Sequence, residues 1–260
     1  MSKLSVENVS RQFPAPRGGA PVPALLPVDL TVADNDFLVL LGPSGCGKST
    51  LLRLIAGLDR PTTGRILLDG RPVSAPGPDR GMVFQSYTLF PWLTVADNIA
   101  FGLREKGLDE ASVKPIISDW LERIGLAGFG NHYPKQLSGG MQQRTAIARA
   151  LATDPTILLL DEPFGALDNQ TRGLMQEMLL SIWEKQKKTV VFVTHDIEEA
   201  VFLASRVIVM TARPGRIKAE IAIDLAHPRH YTVKTSSEFS ALKARLTEEI
   251  RSEALLAAHV

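Results

Sequence analysis

The segment GPSGCGKST at 42–50 constrains the fold of this chain more than any other. It follows the apolar run DFLVLLG (36–42) and precedes a helical pattern formed by Leu51, Leu52, Leu54 and Ile55. The spacing fits G-x-x-x-x-G-K-[ST] through Gly42, Gly47, Lys48 and Ser49. Glycines let the backbone curl until successive N–H groups point inward at a phosphate, and the following helix adds the positive end of its dipole. Pro43, Ser44, Gly45, Cys46 and Thr50 complete the loop. Lys48 is expected to reach β- and γ-phosphates, and the Ser49 hydroxyl to bind Mg²⁺. Cys46 reads as a small residue filling a tight turn.

Further apolar runs repeat the pattern. TILLLDEP (156–163), TVVFVTHD (189–196) and RVIVMTA (206–212) are short and rich in Val, Ile and Leu, like strands buried on both faces of a parallel sheet. Between them apolar residues recur at helical spacing: Val113, Ile116, Ile117, Trp120, Leu121 and Ile124, then Leu174, Met178, Ile182 and Trp183. This alternation predicts a layered α/β fold with ligands at the carboxyl ends of strands. LSVENVS, LTVADND and GRILLDG read as shorter, half-exposed strands of an N-terminal antiparallel β lobe. From about residue 87 to 152 strand signals vanish, which predicts a helical subdomain inserted into the core. PAPRGGAPVP (14–23) reads as a loop. In the tail, Phe239, Leu242, Leu246 and Ile250 fall on one helix face, with Ser236 or Ser237 as N-cap.

Composition narrows the classes. Lys and Arg total 29 against 28 for Asp and Glu, so the basic excess expected of a nucleic-acid binder is missing. One cysteine allows no intrachain disulfide and suits a reducing compartment. The start, MSKLSVENVSRQF, lacks the apolar core of a signal peptide, and no apolar run approaches the roughly 18 residues of a membrane span. A soluble, cytosolic chain is expected.

Two further segments carry chemistry. TILLLDEP ends a strand in Asp161-Glu162: Asp161 fits a Walker-B acid that positions Mg²⁺, and Glu162 fits a general base for the attacking water. Leu137-Ser138-Gly139-Gly140-Met141-Gln142-Gln143-Arg144 precedes a helix bearing Ala146, Ile147, Ala150 and Leu151. With Ser138 as N-cap and two glycines exposing the N–H groups, it is a second anion-binding helix start about ninety residues after the first.

These segments resemble the ATP-binding cassette (ABC) family, with GPSGCGKST as its phosphate loop, LSGGMQQR as its signature and ILLLDEP as its Walker B. Gln85 in MVFQSYTLFPWLTVADNI matches the family's Q-loop glutamine, Asp168 in FGALDNQ its D-loop, and His195 in VTHD its switch histidine. The resemblance covers roughly residues 4–225. It implies an α/β P-loop NTPase core with a mixed sheet, an N-terminal antiparallel β lobe and an inserted α-helical subdomain. The ABC ATPase domain would span 1–225, and a C-terminal helical extension 226–260.

The resemblance also implies a mechanism. Two copies would pair head-to-tail as a homodimer, each ATP held between one protomer's phosphate loop and the other's Ser138, Gly139 and Gly140. Gln85 would touch Mg²⁺ or the attacking water, His195 would hold the γ-phosphate, Asp168 would link the two sites, and Phe13 would stack on adenine. Tyr87, Leu89, Phe90, Trp92 and Leu93 either pack the helical subdomain's core or form a groove for a transmembrane permease subunit. FGALDNQTR, QSYTLFPWLTVADNIAFGL and TARPGRI…HPR look most like the nitrate/sulfonate/taurine/bicarbonate-type uptake branch. That branch implies an extracytoplasmic substrate-binding protein and a peripheral place on the cytoplasmic side of the plasma membrane. Related importers for polyamines or thiamine precursors share much of this wording. A soluble non-transport cassette is the rival outside transport, and it typically carries coiled-coil insertions or two cassettes per chain. Another phosphate-loop enzyme would leave LSGG and His195 unexplained.

Overall fold

Residues 2–15 and 19–257 are described by a computed structural model of the chain. Residues 16–18 of the Pro/Gly-rich segment lie outside the described residues. In chain order the elements are β1 (Ser2–Phe13), β2 (Val22–Ala33), β3 (Phe37–Leu41), α1 (Lys48–Ile55), β4 (Thr63–Leu68), β5 (Arg71–Pro72), β6 (Arg80–Val83), α2 (Val95–Glu105), α3 (Glu110–Arg123), α4 (Gly139–Ala152), β7 (Ile157–Asp161), α5 (Asn169–Gln186), β8 (Thr189–Thr194), α6 (Ile197–Leu203), β9 (Arg206–Met210), β10 (Ile217–Ala222) and α7 (Ser237–Ala257). They fall into two compact units, one made of residues 1–77 with 183–260 and the other of 78–182.

The first unit contains two sheets. Strands β10, β9, β3 and β8 pair in that order, parallel except for β10. Every residue of β3 and β8 is buried, which is why FLVLL and TVVFVT read as continuous apolar runs with no polar alternation. The other sheet, β2-β1-β4-β5, is antiparallel throughout. Strand β2 alternates from Val28 to Ala33 between buried and exposed residues, as a sheet with one wet face does. This is the mixed α/β core and the antiparallel lobe expected from the sequence.

The chain after β10 returns to the same unit. Arg229 is buried, with 6% of its surface exposed, and its guanidinium donates to the carbonyls of Val201, Phe202, Ala204, Ile223 and Leu225. It thereby caps the carboxyl end of α6 and anchors the chain beyond β10. Burial lowers its pKa to about 10. Helix α7 then begins beside Ser236, whose hydroxyl accepts from the Phe239 N–H at 3.1 Å. Phe239 and Leu246 are buried on its inner face.

The second unit pairs β6 with β7 in parallel and carries α2, α3 and α4. Each helix has a side-chain cap: the Thr94, Asp109 and Ser138 oxygens accept from the N–H groups of Asp97, Ser112 and Met141. Asn98, fully buried on α2, accepts from the Phe90 N–H and donates to the carbonyls of Phe90, Leu93 and Thr94. With the Leu93 N–H donating to the Phe90 carbonyl, that side chain fixes Phe90-Pro91-Trp92-Leu93 in a turn. Trp92 remains 71% exposed, beside Phe90 at 5.6 Å between ring centroids, and Phe101 lies 4.5 Å from Phe90.

Candidate functional site

In the first unit, the phosphate loop leaves β3 and enters α1. Gly47 caps α1 at φ 98°, a left-handed conformation that favours glycine, and no acidic residue occupies the helix's first turn. Lys48 is buried to 4% exposure, with its ammonium donating to the carbonyls of Gly42 at 2.7 Å and Pro43 at 2.9 Å. A cation is therefore held inside the curl of the loop, while Ser44, Gly45 and Ser49 are exposed. Burial pushes the Cys46 thiol up, so Cys46 packs as a neutral side chain. Pro43 is half-buried, as is Thr50 at the start of α1.

His195 follows β8 directly, and the register pairs Leu41 with Thr194. Gly42 and His195 therefore leave neighbouring parallel strands at the same end. The turn carrying His195 is stiff: the Asp196 N–H donates to the Thr194 hydroxyl, and the Asp196 carboxylate caps α6 through the N–H groups of Glu198 and Glu199. Phe13 ends β1 opposite Val22, and its ring is 37% exposed. The Arg11 guanidinium lies 4.6 Å from the Phe13 ring centroid and is itself fixed by Asp59 at 2.8 Å. Two residues beyond Val22, the Ala24 carbonyl lies 2.9 Å from where a Cβ on Gly47 would stand. The β2 strand thus links the aromatic ring to the phosphate loop.

In the second unit, Val83 of β6 pairs with Leu160 of β7, so Gln85, Asp161 and Glu162 collect at the carboxyl edge of this parallel pair. Glu162 has φ 43°, in the left-handed region that costs a non-glycine residue on the order of 1–3 kcal/mol and clusters at functional sites. The Glu162 carbonyl accepts from the Gly165 N–H, closing the turn that follows. Ser138 caps α4, which has no acidic residue in its first turn. A Cβ on Gly139 would stand 2.8 Å from the Tyr87 hydroxyl, and one on Gly140 would stand 2.5 Å from the Thr171 methyl. Asp168 accepts from the N–H groups of Gln170 and Thr171, and hydrogen bonds from Thr171 hold its carboxyl below the usual carboxylate range. Thr171 therefore joins Gly140 to Asp168.

Two residues that the sequence reading missed tie parts of the second unit together. Arg149, ten residues into α4, donates to the Thr88 carbonyl at 2.8 Å and lies 5.2 Å from the Phe90 ring centroid. It fastens the segment after Gln85 to α4. Neither Arg149 nor Thr171 stands in a spacing that announces a role; each acts through a partner far away in the chain. Among the described residues, no group of three or more His, Cys, Asp or Glu could hold a metal by itself. A divalent ion here would take its ligands from a hydroxyl, a carboxylate and the phosphates of a nucleotide, as Mg²⁺ commonly does.

Comparisons with known proteins show the family. A family model for ABC transporters matches residues 25–165. An uncharacterized ABC transporter ATP-binding protein of Methanocaldococcus jannaschii is 54% identical over 97% of this chain and 93% of its own length. A nitrate import ATP-binding protein of Synechocystis sp. is 47% identical over 95% of this chain and 97% of its own. An aliphatic sulfonates import ATP-binding protein of Bacillus thuringiensis is 46% identical over 97% and 98%. Among solved structures, a dimeric ATP-binding cassette bound to ADP and phosphate in a post-hydrolysis state matches with a TM-score of 0.75. It is 34% identical and covers 86% of this chain and all of its own.

Proposed function

The chain belongs to the ABC transporter family, and from that premise we propose that it is the ATP-hydrolysing subunit of an importer for small oxyanions such as nitrate or sulfonates. One observation carries the reading. Helices α2, α3 and α6 each place an acidic residue in the first turn, where it offsets the dipole, and α5 starts on the Asp168 carboxylate. Helices α1 and α4 have no such offset, and they are the two that follow the phosphate loop and the signature. Both ends are left ready for an external anion, as a nucleotide shared between two head-to-tail copies requires.

The residues take these roles. The loop 42–50 and Lys48 bind the phosphates, and Phe13 stacks the base. Ser49, Asp161 and Gln85 would hold Mg²⁺, which would supply positive charge against that of the phosphates. Glu162 takes a proton from the attacking water, and His195 orients the γ-phosphate. Ser138, Gly139 and Gly140 contact the partner copy's ATP, and Asp168 couples the two sites. ATP then closes the dimer and hydrolysis releases it.

The exposed Trp92, with Phe90 and Phe101, fits a docking surface for the transmembrane permease, reached from Gln85 through the segment that Arg149 fastens. No helix among the described residues is long and apolar enough to cross a membrane. In this reading the pore belongs to other subunits, the chain is peripheral on the cytoplasmic face, and an extracytoplasmic substrate-binding protein delivers the solute. The cassette spans 1–225, with the helical subdomain at about 87–152, and 226–260 is an extension.

Two binding experiments test the reading. Phe13→Ala is expected to weaken MgATP binding by about tenfold, with Phe13→Trp close to the parent, since base stacking needs only a ring. Unchanged affinity in the alanine variant removes Phe13 from the site. Ser138→Arg is expected to keep the parent affinity of the monomer yet abolish ATP-dependent dimers in light scattering, whereas Lys48→Ala loses binding itself. Equal loss of binding in both would overturn the shared interfacial site. The solute class is read from ATPase stimulation of the reconstituted permease complex: nitrate or alkylsulfonates should stimulate it. A response to polyamine or a thiamine precursor instead would replace the oxyanion assignment.

A further inference from the structure

The phosphate loop has a back wall built from distant parts of the chain. A Cβ on Gly215 would overlap the Cys46 carbonyl oxygen, so the 211–216 turn lies directly against the loop. On the same side, a Cβ on Gly42 would stand 3.1 Å from the Met210 carbonyl. The turn is internally braced: the Thr211 N–H donates to the Arg216 carbonyl at 2.9 Å, and the Thr211 hydroxyl accepts from the Arg216 N–H at 3.1 Å. It is also stitched to β2, with the Gly215 N–H donating to the Ala24 carbonyl and the Leu26 N–H donating to the Gly215 carbonyl. Ala24 in turn backs Gly47. Two backbone strips therefore press on the rear of the loop, with glycine at the points of closest approach.

The outer end of this wall is held by α7. Glu253, only 5% exposed, accepts from the Ala212 N–H at 2.9 Å through one carboxylate oxygen and pairs with Lys218 at 3.2 Å through the other. Lys218 is itself fixed to α7 through the Glu249 carbonyl at 2.8 Å and the Glu249 carboxylate at 3.1 Å. The buried carboxylate is thus compensated on both oxygens, as burial demands.

We propose that the 211–216 turn is the backstop of the phosphate loop, and that Glu253 is a positioning residue that sets nucleotide affinity from the C-terminal helix. A loop that presents backbone N–H groups to phosphate works only if its curvature is held before the ligand arrives. Here the curvature is held from behind by backbone, and the outer end of that backbone is held by one carboxylate. Helix α7 is consequently a lever on ATP binding, and a partner that displaces its last turns would weaken ATP binding without touching the nucleotide. The proposal rests on the reading of 42–50 as the nucleotide site.

The test titrates a fluorescent ATP analogue with Mg²⁺ into the full chain and, in parallel, records thermal melting without nucleotide. Glu253→Ala is expected to weaken binding by about fivefold, whereas Glu253→Gln, which still accepts from Ala212, stays within about twofold of the parent. Gly215→Ala is expected to weaken binding by about tenfold or more, because the methyl displaces the Cys46 carbonyl. Lys48→Ala is the reference for the site itself. Lost affinity in Lys48→Ala with parent affinity in Glu253→Ala overturns the backstop alone. Parent affinity in Lys48→Ala overturns the nucleotide site and the backstop with it. Melting that falls equally in both Glu253 variants while affinity holds would make Glu253 structural only, and the proposal would fail. Should Gly215→Ala not fold, the Glu253 pair decides.

Discussion

Glu162→Gln should bind MgATP as tightly as the parent chain while hydrolysing it about 10²–10⁴-fold more slowly, the range typical for loss of a general base. Glutamine keeps the size and shape of the side chain, so the left-handed backbone at φ 43° and the turn closed by Gly165 are undisturbed. It cannot accept the water's proton. Binding energy is retained and only the chemical step is removed, so the variant should accumulate as an ATP-bound dimer. Single-turnover hydrolysis and light scattering read the two consequences separately. Hydrolysis at the parent rate would show that Glu162 is not the base. Loss of binding along with hydrolysis would show that it acts in the ground state.

Arg229→Met should produce the largest loss of stability, roughly 3 kcal/mol or more, because removal of the guanidinium strands several buried carbonyls at once. Methionine fills much of the volume, so the loss reports on hydrogen bonds more than on a cavity. For a chain of this size the shift in Tm is about 2–4 °C per kcal/mol, or roughly 6–12 °C in all. The carbonyls affected are those of Val201, Phe202 and Ala204 at the end of α6 and of Ile223 and Leu225 beyond β10. Helix α6 begins one residue after the His195–Asp196 pair, so the variant should also lose order there, visible as faster amide exchange in α6. A Tm within about 2 °C of the parent would mean that these carbonyls find other partners, and that Arg229 is not the anchor.

Much of the candidate site is legible in the sequence because its signals are local. The run FLVLL followed by GPSGCGKST places a curled loop between a strand and a helix, and the Gly47 φ follows from that junction. Ser138 before a helix reads as a cap and proves to be one through Met141. The parallel registers Leu41–Thr194 and Val83–Leu160 could not be read, although the apolar runs of β3, β7 and β8 could; β6, four residues long, carries no such run. The aromatic stretch is a mixed case. Its residues are obvious, but two readings were open, and the exposure of Trp92 depends on the turn that Asn98 folds from within.

The motifs by themselves determined the family, the α/β class, the phosphate loop and the identity of the residues proposed for chemistry. Periodicity, caps and glycine spacing are properties of neighbouring residues, so they survive in a linear string. Only the tertiary structure decided that Arg229 anchors the returning chain, that Thr171 links Gly140 to Asp168, that Arg149 fastens the segment after Gln85, and that Gly215 and Glu253 stand behind GPSGCGKST. Each of these depends on which buried carbonyl, N–H or methyl the folded chain brings within reach. A buried polar group must find its partner wherever the chain crosses, and no spacing in the sequence records that crossing.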